Sequence, residues 1–158
     1  MKICLECAEG GHFDEMLNIM EAFEGHDIFF ITTRAKTTED LWKIAKVYYV
    51  REQYTVKYQF SVYLIELLYM TKLLYLCLKI LLKEKPHAII STGGGSTIPT
   101  CYWGKLLGVK IIYIESLARI NQPSGTGKII YPIADLFLVQ WESMLKFYRK
   151  ANYWGRVV

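Results

Sequence analysis

The run Pro86-His87-Ala88-Ile89-Ile90 is short and apolar, and it stops at Ser91-Thr92-Gly93-Gly94-Gly95-Ser96-Thr97-Ile98-Pro99. Three consecutive glycines between a strand-like run and a helical pattern restrict the fold sharply, because they mark a strand that ends in a turn and feeds a helix. Ser96 and Thr97 are residue types that cap helices. A helix begun there directs free N–H groups and the positive end of its dipole at the loop. Such a loop suits an anion, above all a phosphate. The alternative, of equal weight, is a tight turn that needs glycine for its geometry alone.

The same unit recurs along the chain. Lys2 to Ala8 reads as a first strand ending in the turn Glu9-Gly10-Gly11-His12, after which Met16, Leu17, Ile19, Met20 and Phe23 recur at helical spacing until Gly25. Further strands are expected over 27–33, 46–50, 86–90, 109–114 and 135–140, and helices over about 38–45, 98–107 and 141–148. A polar loop over 119–128, a short helix or turn over 129–134 and an extended tail from Asn152 complete the reading. Strands alternating with helices predict an α/β chain with a Rossmann-like, doubly wound, mostly parallel sheet, in one domain spanning residues 1–158.

Residues 58–84 interrupt that rhythm with a long, apolar, aromatic-rich segment that reads as one helix. At 100° per residue Lys72, Lys79 and Lys83 fall in one narrow stripe while nearly every other face is apolar. Glu66, Lys72 and Lys79 argue against a bilayer span, since each charge near a membrane centre costs about 2.5 to 3.5 kcal/mol. Two readings stay open: a core helix wedged under the sheet, or a helix that dips its Leu/Tyr face into a membrane interface with the three lysines towards anionic head groups.

With 158 residues, 53% of them hydrophobic, the chain can bury a full core. Lysine and arginine number 19 against 15 acidic residues, and the pI is near 8.8, which favours a phosphate-bearing ligand or an anionic membrane surface over a basic partner. The excess is too small and dispersed for nucleic acid. Cys4, Cys7, Cys77 and Cys101 form no regular framework and fit reduced thiols in a cytosolic compartment. Cys4 and Cys7, an odd number of residues apart on one strand, point to opposite faces, so no metal site is expected. The N-terminus carries too short an apolar run for a signal peptide, and the protein is expected inside the cell.

In a doubly wound sheet, ligands sit beyond the carboxyl ends of the strands where strand order reverses, commonly between the first and fourth strands. Three polar loops fall there: Glu9 to His12, Gly93 to Thr97, and Glu115 to Gln122. The first two are expected to face each other and to grip a diphosphate from either side. His12 opens a helix and is a candidate base, with a helix cap as the plain alternative. Glu115 closes an apolar strand; it could be a second base, an acceptor for a sugar hydroxyl, or a solvated carboxylate. Gly125-Thr126-Gly127-Lys128 imitates the end of a P-loop, but Gln122 stands where glycine is needed and Ile129 where Ser or Thr is needed. The first turn lacks G-x-G-x-x-G and Thr32-Thr33-Arg34 offers no acidic residue for a ribose, so NAD binding is not expected.

Taken together, Cys7-Ala8-Glu9-Gly10-Gly11-His12-Phe13-Asp14-Glu15-Met16-Leu17, the loop from Ser91 to Pro99, and Ile112-Tyr113-Ile114-Glu115-Ser116 resemble the asparagine-linked glycosylation protein fourteen family, with its bacterial capsule and exopolysaccharide relatives. The resemblance covers nearly the whole chain. It implies the amino-terminal, acceptor-binding half of a GT-B glycosyltransferase made as a separate polypeptide, with a second protein bringing the UDP-sugar site. It also implies a lipid-linked sugar diphosphate as acceptor, UDP-N-acetylglucosamine as donor, and work at the cytoplasmic membrane surface without metal or cofactor. Position by position, Gly10, Gly11 and His12 match the family's first-loop motif, Gly93, Gly94, Gly95, Ser96 and Thr97 its second glycine loop, and Glu115 its strand-closing acid. Glu9 stands where relatives usually have a small residue such as serine. No N-terminal anchor is expected, which leaves membrane attachment to residues 58–84 or to a partner.

Overall fold

The computed structural model describes residues 1–52 and 62–157. Its strands are β1 (Lys2–Cys7), β2 (Asp27–Arg34), β3 (Lys46–Glu52), β4 (Ala88–Gly93), β5 (Lys110–Ile114), β6 (Leu136–Val139) and β7 (Asn152–Tyr153). The helices are α1 (Gly11–Asn18), α2 (Val62–Glu84), α3 (Thr97–Leu106) and α4 (Gly125–Ile130), and three 3-10 segments join them at Met20–Phe23, Lys36–Lys43 and Glu142–Lys146. The seven strands form one sheet in the order β3-β2-β1-β4-β5-β6-β7, and every pairing is parallel. Strand order therefore reverses between β1 and β4, which puts their carboxyl ends side by side.

The central strands are buried on both faces, which is why they read as continuous apolar runs rather than as alternations. Cys4, Phe29, Ile31, Ile89 and Ile111 pack on one face with Leu73, Cys77 and Leu81 of α2 and Cys101 of α3. Ile3, Leu5, Cys7, Phe30 and Ile90 pack on the other with Phe13 and Met16 of α1 and Leu41. Cys4 and Cys7 thus fall on opposite sides of the sheet, as their spacing requires.

Several elements differ from the sequence reading. The segments expected as α-helices over 38–45 and 141–148 are short 3-10 turns, Lys36–Lys43 and Glu142–Lys146. The expected polar loop hides the start of α4, where Ser124 caps the helix by accepting a hydrogen bond from the Gly127 amide at 2.7 Å. Two glycines in six residues conceal that helix from any propensity argument. The extended tail contains a two-residue parallel edge strand, β7. Of the helix expected over 58–84, Val62–Glu84 is helical and 58–61 lie outside the described residues.

β1 and β4 do not stay in simple register. Glu6 pairs with Ser91 but Cys7 with Gly93, so Thr92 is the extra residue of a bulge at the strand end. A bulge of this kind re-aims the groups beside it.

At the opposite end of the sheet, Glu84 closes α2 against β1 and β3. Its buried carboxylate accepts from Lys2 Nζ at 2.8 Å, from Lys46 Nζ at 2.6 Å and from the Tyr48 hydroxyl. The Lys2 hydrogen bond first, then those of Lys46 and Tyr48, hold its pKa down to about 2. A depressed carboxylate stabilises the fold fully above its unfolded pKa of about 4.3, and the contribution fades as pH falls through the folded value. Glu84→Gln is expected to cost on the order of 1 to 3 kcal/mol at neutral pH. In urea melts, the gap between the variant and the parent should narrow below about pH 4 and close near pH 2. A gap independent of pH would contradict the assignment.

Candidate functional site

The loops that follow β1 and β4 touch. The Ala8 amide donates to the Gly93 carbonyl at 2.9 Å. Gly94 lies so close to Ala8 that a Cβ on it would stand 2.5 Å from the Ala8 Cβ, and Gly94 has a φ of 139° that only glycine adopts freely. Gly93, with φ 110°, passes under the His12 ring, whose Cε1 would be 3.0 Å from an added Cβ. Both glycines are therefore required by the contact between the two loops as well as by the turn.

His12 is fixed by the bulge. Its Nδ1 lies 2.7 Å from the Thr92 carbonyl oxygen, and the Thr92 hydroxyl donates to the His12 carbonyl at 2.6 Å. A carbonyl oxygen only accepts, so Nδ1 carries a proton and Nε2 is the ring nitrogen left for another partner. Nε2 has no protein partner among the described residues. An oriented imidazole with its second nitrogen open is what a proton acceptor requires.

Open backbone donors surround it. At the start of α1 the Gly10 carbonyl accepts from Phe13 and Asp14 amides at 2.8 and 3.0 Å, while the amides of Gly11 and His12 have no acceptor among the described residues. In the second loop the amides of Gly94, Gly95 and Ser96 are likewise without an acceptor there. Neither α1 nor α3 has a side-chain cap at its N-terminus. Two adjacent sets of unpaired N–H groups at helix starts are chemically suited to a polyanion.

The hydroxyls of that second loop point elsewhere. Ser96 Oγ donates at 2.6 Å to Oε1 of Glu6, and Ser91 Oγ and Thr97 Oγ1 donate to its Oε2 at 2.5 and 2.6 Å. Glu6 is wholly buried. Burial pushes its pKa up, against the opposing pull of the three hydroxyl hydrogen bonds and of His12. The expected phosphate contacts of Ser96 and Thr97 therefore reduce to the Ser96 amide, because both side-chain protons are committed inward.

Glu115 is corrected in the same way. It is 0% exposed, and its oxygens accept from the Ser116 amide at 3.0 Å, the Ser124 amide at 3.2 Å, the Ser124 hydroxyl at 3.0 Å and the Tyr148 hydroxyl at 2.7 Å. A carboxylate so surrounded is neither solvated nor open to a substrate hydroxyl; it pins the Ser116–Ser124 loop and the start of α4. Gly127 must be glycine for this reason, since a Cβ there would stand 2.2 Å from Glu115 Oε2. A third buried acid, Glu15 of α1, accepts from Ser116 Oγ at 3.0 Å, the Leu117 amide at 3.1 Å and Gln140 Nε2 at 2.9 Å. Burial raises its pKa against these bonds. Gln140 in turn accepts from the Val157 amide at 2.8 Å, which ties the end of the chain to the same rim.

The sequence reading passed over Glu6, Glu15, Gln140 and Tyr148. Glu6 had a signal, a charged residue inside the apolar run Ile3-Cys4-Leu5-Glu6-Cys7, since unpaired acids are almost never fully buried. Glu15 and Gln140 gain meaning only from partners more than 100 positions away, and Tyr148 from Glu115, 33 positions back.

The lysine stripe is exposed as expected at Lys72, Lys79 and Lys83. Beside it Met70, Leu74, Tyr75 and Leu82 are exposed too, while Leu73, Cys77, Ile80 and Leu81 face the core. α2 therefore buries one stripe against the core, as the first of the two readings asked, and leaves other apolar side chains exposed near its lysines. Among the described residues, no helix is long and apolar enough to cross a membrane. A cavity of about 470 Å³ lined by Tyr131, Asp135 and Lys150 opens beyond the amino ends of β6 and β7. That is the end of a parallel sheet where ligands are not bound.

Fold and site together define a Rossmann-like α/β unit of the GT-B kind. It superposes on UDP-N-acetylglucosamine 2-epimerase from Rickettsia bellii with a TM-score of 0.70 at 15% identity, covering 99% of this chain and 45% of that one. MurG from Acinetobacter baumannii gives 0.69 at 15% identity over 90% of this chain and 43% of that one. At such identities the likeness is one of fold. The family model "Oligosaccharide biosynthesis protein Alg14 like" matches residues 3–157, and the chain belongs to that family. It is 44% identical over 84 residues to the UDP-N-acetylglucosamine transferase subunit ALG14 of Candida albicans, 49% of this chain and 38% of that one. To the Homo sapiens protein of the same name it is 34% identical over 89 residues, 52% of this chain and 41% of that one. The match thus spans about two fifths of these curated relatives.

The contact between the loops makes a stability prediction. Gly94→Ala adds both a strained φ and a collision with Ala8, and is expected to cost at least about 2 kcal/mol. Gly11→Ala, with open space around it and ordinary helical backbone, should change stability by no more than about 0.5 kcal/mol. Thermal unfolding of the two variants side by side checks the difference, and equal melting points would refute the close approach.

Proposed function

We propose that this chain is the acceptor-binding component of a two-component GT-B glycosyltransferase, active with a separate UDP-sugar-binding subunit. The observation that carries the reading is the meeting of two glycine loops at the reversal of strand order, with open amides on both and the free Nε2 of His12 between them. The amides of Gly11, His12, Gly94, Gly95 and Ser96 hold the diphosphate of a lipid-linked sugar. Gly10 and Gly93 supply the positive-φ turns that aim those amides. The curated relatives' name, UDP-N-acetylglucosamine transferase subunit, points to UDP-N-acetylglucosamine as the donor carried by the partner.

In the proposed reaction the acceptor hydroxyl oxygen attacks the anomeric carbon. The bond from that carbon to the UDP oxygen breaks, and UDP leaves with the electron pair. His12 Nε2 takes the hydroxyl proton, and attack opposite the leaving group inverts the anomeric configuration. Glu115, counted as a second possible base from the sequence, is here a positioning residue. No metal or cofactor enters the scheme.

The apolar face of α2, with Lys72, Lys79 and Lys83 at its margin, rests on the cytoplasmic surface of the membrane that carries the acceptor. A second reading, a membrane scaffold that contributes no reacting group, is favoured by the saturated Glu115 carboxylate, which leaves His12 as the single open base among the residues singled out.

His12→Ala in the reconstituted pair separates the two readings. A base of this kind contributes on the order of 10² to 10⁴ in rate, so turnover should fall by that factor with acceptor KM little changed. Turnover within a few-fold of normal would leave the scaffold. Independently, reversing Lys72, Lys79 and Lys83 to Glu should weaken sedimentation with anionic phospholipid vesicles by about two orders of magnitude, at about 1 kcal/mol per lysine. Unchanged binding to such vesicles would rule out this face as the attachment surface.

A further inference from the structure

Glu6 is a wholly buried charged side chain of β1 that the proposed chemistry does not use, and its carboxylate accepts from three hydroxyls of the second glycine loop. Ionised, it is an acceptor without a proton to give. All three hydroxyls within reach therefore point their protons at it: Ser91 at 2.5 Å, Ser96 at 2.6 Å and Thr97 at 2.6 Å. Ser91 Oγ, having donated to Glu6, accepts from the Gly93 amide at 3.1 Å. The carboxylate thus reaches three residues of the loop and the amide of a fourth, across a sequence separation of about 90 residues.

This arrangement decides which way the loop faces. Ser96 is the residue before α3 and makes no side-chain cap to that helix, although serine there ordinarily bonds an amide of the first turn. Its hydroxyl is drawn to Glu6 instead, and the Ile98 amide, the one donor such a cap could reach because Pro99 has no N–H, stays open. Thr97 is held likewise. The loop keeps its hydroxyls in the core, with Ser91, Ser96 and Thr97 all buried, while the Gly94, Gly95 and Ser96 amides have no acceptor among the described residues.

We propose that Glu6 is a positioning residue of the anion site: by accepting the Ser91, Ser96 and Thr97 hydroxyls it keeps Ser96 off the Ile98 amide and tethers the loop that carries the Gly94, Gly95 and Ser96 amides of the diphosphate site. The inference rests on the reading of this loop as a diphosphate site. Its action is indirect, since the carboxylate is wholly buried and touches no ligand. An apolar residue at the same place in β1 would leave the buried Ser91, Ser96 and Thr97 hydroxyls without this acceptor and free to turn elsewhere.

The test compares Glu6→Val, which removes the acceptor, with Glu6→Gln, which keeps an acceptor oxygen and the shape. Each is examined by amide NMR of the glycines and by titration with inorganic pyrophosphate. In Glu6→Val, the loop loses its tether and Ser96 is expected to turn onto the Ile98 amide, so that the Gly94 and Gly95 resonances shift and pyrophosphate binding weakens at least tenfold. Glu6→Gln should restore both to within about threefold of the parent. Glycine resonances and pyrophosphate affinity unchanged in Glu6→Val would overturn the proposal, as would a Glu6→Gln variant no better than Val. Should Glu6→Val fail to fold, the double variant Ser96→Ala with Thr97→Val cuts two of the three tethers without touching Glu6 and is expected to shift the Gly94 and Gly95 resonances by releasing the loop, and unchanged resonances there would overturn the proposal. A parent chain that binds no pyrophosphate would defeat the diphosphate reading alone, and the glycine resonances would still decide the role of Glu6.

Discussion

Everything at the candidate site depends on the side-by-side ending of two parallel strands. β1 and β4 are neighbours only because the chain winds outward from β1 to β3, returns through α2, and winds the other way from β4. Where order reverses, two strand-to-helix loops meet with no crossover helix between them. The meeting is intimate: the Ala8 amide bonds Gly93, Gly94 packs on Ala8, and His12 bonds Thr92. Glycine is needed at 93 and 94 because the neighbouring loop occupies the space a side chain would fill.

Beneath that rim lie three buried acids, and each holds a different part of it. Glu6 gathers the hydroxyls of the second glycine loop, Glu15 joins α1 to the loop after β5 and to β6, and Glu115 fixes the start of α4. Buried carboxylates are costly unless their lone pairs are satisfied, and here hydroxyls and amides satisfy them. The result is a set of loops braced from the core side, which leaves backbone donors and one imidazole nitrogen facing outward.

α2 joins the fold to its surroundings. Leu73, Cys77, Ile80 and Leu81 anchor it to the sheet, and Glu84 clamps its end with Lys2, Lys46 and Tyr48. Its exposed leucines and lysines are thereby held at a constant orientation to the sheet. The apolar surface of this helix exceeds what the sheet covers.

The α/β class, the six longer strands and the two glycine loops were legible in the residues themselves, because strands buried on both faces are continuous apolar runs and glycine marks the turns after them. His12 was legible by its place at a helix start. The edge strand Asn152–Tyr153 and the glycine-rich start of α4 were not, since their order comes from pairing with β6 and from the Glu115 and Ser124 hydrogen bonds rather than from local propensity. The roles of Glu6, Glu115, Ser96 and Thr97 also belonged to tertiary structure. A side chain at the end of a strand or the start of a helix can turn inward or outward at nearly equal local cost. Only the partner brought from the other part of the chain, an acid under the loop or a tyrosine beside it, chooses between the two.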